Sequence, residues 1–82
     1  MTREEEFLLI REACSDPKAF APLYEKYYDR VYLYLLRRCA NQSLAEDLTA
    51  ETFFRALRKL ASYKPQNVPF LAWLFRIAHN QL

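Results

Sequence analysis

The chain is 82 residues long, with 52% hydrophobic and 16% aromatic residues and a formal net charge of +2. That composition excludes a disordered segment and predicts one globular domain with a single core, burying roughly 60–65% of its unfolded surface. The complete absence of glycine argues against tight hairpins and phosphate-cradling loops, which need positive φ angles, so the expected fold class is all-α. No apolar run reaches transmembrane length and no secretory signal is present, so no membrane partner is expected and the expected compartment is the cytoplasm. Cys14 and Cys39 do not make a disulfide framework. With His79 as the lone histidine, there is no close ligand pair for zinc, and neither metal nor cofactor is expected.

Charge is unevenly distributed along the chain. Residues 1–16 carry two basic and five acidic side chains, and residues 17–41 carry five basic and two acidic. Residues 42–53 carry three acids and no base, whereas everything from Phe54 onward carries five bases and no acid. A negative segment joined to a positive one suggests two different partners.

The first expected helix runs from Arg3 to about Cys14. Thr2 and Glu5 have capping-box spacing, and the early glutamates complement the helix dipole. Phe7, Ile10 and Cys14 form its apolar stripe. Asp16-Pro17 has the form of a cap and first position for a second helix reaching about Arg38. Phe20, Leu23, Tyr24, Tyr27, Val31, Tyr34 and Leu35 supply its apolar spacing. Leu33 and Leu36 lie on the opposite side, which implies packing on more than one face. Pro22 removes a helical hydrogen bond, so an irregular first turn or a later start is expected. Arg37 and Arg38 complement the C-terminal end of the dipole.

Asn41 is the candidate left-handed cap at the break, in the absence of glycine. Ser43 and Glu46 have capping-box spacing for a third helix, from about Leu44 to Ala61. On it, Ala45, Leu48, Thr49, Thr52, Phe53, Ala56, Leu57 and Leu60 cover a broad inward arc. Asp47, Ala50, Glu51, Phe54 and Arg58 share the opposite arc. On residue chemistry alone this is either a solvated face with one exposed aromatic or a docking face, an aromatic anchor ringed by charges that choose the partner. After the segment "SYKPQNVP", residues 62–69, a last helix starts near Pro69. Its inward arc holds Phe70, Trp73, Leu74, Ile77 and Ala78, with Trp73 a core residue. Arg76, His79 and Asn80 lie outside.

The stretch "AFAPLYEKYYDRVYLYLLRRCANQSLAEDLTAETFFRAL…FLAWLFRIAHN" closely resembles the region-two domain of bacterial extracytoplasmic-function sigma factors. The resemblance covers residues 15 to 82 and rests on "AEDLTAETF" followed by "AWLFRIAHN". It implies a compact bundle of about four helices whose third helix binds the clamp helices of the RNA polymerase largest subunit. Asp47 and Glu51 would be polar contacts and Phe54 an apolar one, with Ala50 standing where many relatives have glutamine.

The resemblance also implies that the loop and last helix read the promoter −10 element on the non-template strand and capture a flipped base during melting. Phosphates need cations, which Lys64 and Arg76 supply with Arg55, Arg58 or Lys59 nearby. Base edges need groups such as Asn80 and His79, and unstacked bases need a platform, for which Tyr63 is the candidate. Asn80 matches the family's "IA-x-N" asparagine. Leu71 departs from the Arg or Lys frequent before "AWL". An anti-sigma factor is an expected further partner, and the family's second, −35-reading domain is expected to be absent from this chain. The alternative is an interaction-only helical domain that serves as an anti-sigma target without promoter reading. An enzyme is not expected, since no nucleophile–base pair, metal spacing or glycine loop is present, and Asp47 and Glu51 would sit on a convex surface.

Overall fold

A computed structural model describes residues 1–82 and contains four α-helices: α1 (Arg3–Ala13), α2 (Ala21–Cys39), α3 (Gln42–Arg58) and α4 (Phe70–His79). Two short 3₁₀ turns, Pro17–Phe20 and Leu60–Ser62, precede α2 and follow α3. The all-α expectation is met.

Thr2 caps α1 as its spacing predicts: the Glu5 amide donates to Thr2 Oγ1 at 3.1 Å. Three glutamates occupy the first turn, where they complement the amides left unpaired at a helix start. The apolar stripe differs from expectation. Ile10 and Ala13 are buried, while Phe7 is 38% exposed and Cys14 is exposed. Cys14 lies past the last helical residue and donates its thiol to the Ile10 carbonyl at 3.3 Å, so it closes the helix without entering the core.

The irregular start foreseen at Pro22 takes a definite form. Asp16 accepts the Lys18 amide at 3.1 Å and opens a 3₁₀ turn beginning at Pro17. The α-helix proper begins at Ala21, which puts Pro22 in its first turn, where the missing N–H has no intrahelical partner to lose. At the other end the left-handed residue is Ala40, with φ 52° and ψ 32°, and not Asn41. Asn41 is extended and uses its side chain as the N-cap of α3, accepting the Leu44 amide at 2.9 Å. Ser43 is therefore inside the helix and does not cap it. The connection has only these two residues, and the one with a side-chain oxygen gains more at the N-cap than in the left-handed position. The α-helical part of α3 ends at Arg58, short of Ala61, because the chain tightens into the 3₁₀ turn.

α2 is the central element and packs against both α3 and α4. Leu23, Val31 and Leu35 from α2 are fully buried, as are Ala45 and Ala56 from α3 and Leu74 and Ala78 from α4. Ala45 and Ala56 add little side-chain bulk to the buried face of α3, while Phe53 packs edge-on to Phe20 at 6.2 Å and to Tyr24 at 4.8 Å. Thr49 and Thr52 are the only buried polar residues. Their hydroxyls donate to the Ala45 and Leu48 carbonyls at 2.6 and 2.8 Å, which meets the requirement that a buried hydroxyl be paired. The inward arc of α3 is thus as expected, with Leu48 and Leu57 half-buried at its margins.

Candidate functional site

Burying Ala45, Thr49, Thr52, Phe53 and Ala56 leaves the opposite side of α3 in water. Asp47, Ala50, Phe54 and Arg58 are exposed there and Glu51 is half-exposed. Phe54 is 55% exposed. The Arg58 guanidinium lies 5.6 Å from its ring centroid, and Arg55 pairs with Glu51 at 2.9 Å. A solvated i,i+4 pair of this kind contributes under about 1 kcal/mol, so it adds little to the fold. Asp47 has no cation within ion-pair distance, since the chain's two salt bridges are Arg55–Glu51 and Lys26–Glu6. The five residues therefore form one surface with an apolar centre, one paired carboxylate and one free.

The second group of candidates is brought together less completely. Lys64, Arg76, His79 and Asn80 are exposed, and neither Lys64 nor Arg76 has a carboxylate partner. Asn80 ends α4, its amide donating to the Arg76 carbonyl at 3.1 Å, so its side chain lies just beyond the last helical residue. His79 is already engaged through Nδ1, 3.1 Å from the Tyr34 hydroxyl, leaving Nε2 free.

Tyr63 differs from expectation as an open platform. It is 9% exposed, set against Phe70 and Trp73 at 5.3 and 5.1 Å between ring centroids. Its hydroxyl donates to the Val68 carbonyl at 2.6 Å. Burial pushes the phenol's pKa above its ordinary value, which keeps it protonated as that bond's donor. Tyr63 thus braces the loop from inside, because its ring satisfies the hydrophobic demand at the base of α4. Trp73, expected in the core, is half-buried against the same cluster.

Three groups of contacts lie outside the sequence expectations. Gln81 donates through Nε2 to the Leu48 carbonyl at 3.2 Å and to the Thr52 hydroxyl, tying the end of α4 to α3. Tyr27 and Lys26 both reach Glu6, at 2.6 and 3.0 Å, locking α1 onto α2. That hydrogen bond to Glu6 is the main cause raising the Lys26 pKa. Tyr34 stacks on Phe75 at 4.8 Å, with the Arg38 guanidinium 3.7 Å from its ring. Each of the pairs Tyr34–Arg38 and Phe75–His79 has an i,i+4 spacing visible in sequence, but nothing local says that the two pairs meet.

The comparisons with known proteins bear on this arrangement. The family model described as Sigma-70 region 2 matches residues 23–82. The chain is 44% identical over 73 residues to the ECF RNA polymerase sigma factor BldN of Streptomyces coelicolor, covering 89% of this chain and 28% of that protein. It is 40% identical over 58 residues to the RNA polymerase sigma factor YlaC of Bacillus subtilis, covering 71% and 33%. It is 45% identical over 58 residues to the ECF RNA polymerase sigma factor SigE of Mycolicibacterium smegmatis, covering 71% and 22%. The chain thus spans a third or less of the length of these three relatives. No solved structure matches it significantly. The matched family model covers α2 from Leu23 onward, α3 and α4 with the loop between the last two, and the chain therefore belongs to the sigma-70 region 2 family, as a region-two domain of the extracytoplasmic-function type.

Proposed function

We propose that residues 1–82 form a single region-two domain that works in transcription initiation by joining RNA polymerase to promoter DNA. The outer face of α3 docks on the clamp helices of the polymerase largest subunit. Phe54 is the apolar anchor, Asp47 offers its unpaired carboxylate to a cation of the partner, and Glu51 and Arg58 frame the ring. The observation that carries this reading is a large aromatic 55% exposed beside a carboxylate with no internal partner. Neither belongs to the buried core, and both suit a small interface with a buried centre and a charged rim.

The loop and α4 contact the −10 element. Lys64 and Arg76 bind phosphate, and Asn80 and the free Nε2 of His79 reach base edges of the non-template strand. Base extrusion costs a few kcal/mol, offset by pocket contacts and by polymerase holding both partners. Tyr63 contributes by bracing the loop. The work is regulatory and not enzymatic, its place is the cytoplasm, and an anti-sigma factor is the partner expected to occlude these surfaces. No helix of the chain is long and apolar enough to cross a membrane.

The test is binding to a recombinant clamp-helix fragment, comparing the parent with an Asp47→Arg, Glu51→Arg double variant that keeps its helical circular dichroism. Binding by the parent and at least tenfold weakening in the variant is expected. Equal binding by both would place the interface elsewhere. No binding by either would favour the interaction-only alternative, in which the same face serves only an anti-sigma partner.

A further inference from the structure

The C-terminal halves of α2 and α4 are joined by an aromatic stack. Tyr34 lies against Phe75 with 4.8 Å between ring centroids and 21° between planes. Its hydroxyl meets His79 Nδ1 at 3.1 Å, which fixes the ring in two directions. The Arg38 guanidinium covers the same ring, its carbon 3.7 Å from the centroid, and Nη1 donates to the Tyr34 carbonyl at 3.2 Å. Arg38 is thereby held in place, yet it is exposed and has no carboxylate within ion-pair distance.

A cation serving only the helix dipole needs no such support, and the neighbouring Arg37 has no comparable contact. An ordered arginine spends one donor on its own helix and keeps the rest of its fork for an external acceptor. Ordering before binding removes part of the rotamer entropy that a flexible side chain loses on contact. The charges next in sequence to the stacked residues have the same sign: Arg37 precedes Arg38 on α2, Arg76 follows Phe75 on α4, and no acid occurs from Phe54 to residue 82. Stacking on an aromatic with an open fork among like charges suits a phosphate oxygen better than a carboxylate of the same chain.

We propose that Arg38, held by Tyr34, is a phosphate-binding residue that carries the nucleic-acid track from α4 across onto α2. This rests on the proposed reading that α4 contacts DNA, and it enlarges that surface to α2, whose last-turn arginines otherwise serve only the helix terminus. The ligand group is a phosphodiester of the polynucleotide backbone, so the contact adds affinity without sequence preference.

The test is fluorescence anisotropy of labelled fork DNA carrying a −10-like single strand, or a scrambled one, titrated with the 82-residue chain at several salt concentrations. The variants are Arg38→Gln, Arg38→Lys and Arg30→Gln, the last an exposed arginine lining the α1 side of α2. One phosphate contact changes the salt slope by about 0.7–0.9, which is about a five- to eightfold change in affinity at ~0.1 M salt. Arg38→Gln should lower slope and affinity by that amount on both DNAs, Arg38→Lys should retain the slope, and Arg30→Gln should match the parent. An unchanged slope in Arg38→Gln, or an equal loss in Arg30→Gln, overturns the subsite even where the parent prefers the −10-like strand. A parent without that preference whose slope still drops in Arg38→Gln retains the subsite and loses promoter reading. A parent that binds neither DNA overturns both.

Discussion

Replacing Phe54 with alanine tests the proposed docking role separately from folding. A phenylalanine presents roughly 200 Å² of surface, and 55% of Phe54 is open to solvent, leaving about 110 Å² for a partner to cover. At about 25 cal/mol per Å² this is worth nearly 3 kcal/mol when fully covered. The β-carbon that alanine keeps and the cover already given by Arg58 reduce the loss to about 2 kcal/mol, or about thirtyfold in Kd. The same substitution should hardly affect the fold. Alanine is the better helix former by about half a kcal/mol, which offsets the exposed cation–π contact of similar size. Isothermal titration of the clamp-helix fragment, with thermal unfolding of each protein alone, measures both quantities. A Kd shift below threefold with an unchanged Tm would refute the anchor role. A Tm fall of more than about 8 °C, which corresponds to over about 1 kcal/mol in a domain this small, would make Phe54 a structural residue.

Two further outcomes follow from the fold. Ala40 holds a left-handed conformation, φ 52°, in a chain without glycine. Ala40→Gly should stabilise by about 0.5 kcal/mol, the relieved strain exceeding the extra freedom given to the unfolded chain, and a lowered Tm would contradict that assignment. Burial raises the pKa of Tyr27, Tyr28 and Tyr63 above the ordinary 10.0, and the Glu6 hydrogen bond raises that of Lys26 above 10.5. Above those ordinary values the unfolded chain has released protons that the folded chain retains, so stability is fully present below about pH 10 and falls as pH rises through the folded-state values. Urea unfolding between pH 8 and 12 should show this loss and a shallower one in Tyr63→Phe, whereas stability rising with pH would reverse the sign.

Much of this was legible locally. Thr2 and most of the 3.6-residue spacing of α2 and α3 acted as their chemistry requires, because a cap or an apolar face involves residues within a few positions; Asp16 caps the 3₁₀ turn before α2, and Tyr24 and Leu33 stay exposed. The outer face of α3 was legible for the same reason: once Ala45, Thr49, Thr52 and Phe53 are inward, Asp47, Glu51 and Phe54 are outward on any regular helix. Where two local rules competed, spacing did not decide between them. Asn41 satisfied both the left-handed and the N-cap preference, and only the two-residue turn, with α2 and α3 packed on each other, assigned it to the cap and forced Ala40 into the strained position.

The sequence by itself determined an all-helical domain, the faces of its helices and the segregation of its charge, since these depend on residue type and helical period. The tertiary structure decided which side chains meet across helices. Tyr63 went inward because Phe70 and Trp73 arrive beside it, and its phenol found the Val68 carbonyl. Arg38 became an ordered, unpaired cation because Tyr34 is pinned by Phe75 and His79 from a helix more than thirty residues later. Contacts of that range depend on how whole helices cross, and no spacing within one helix encodes the crossing.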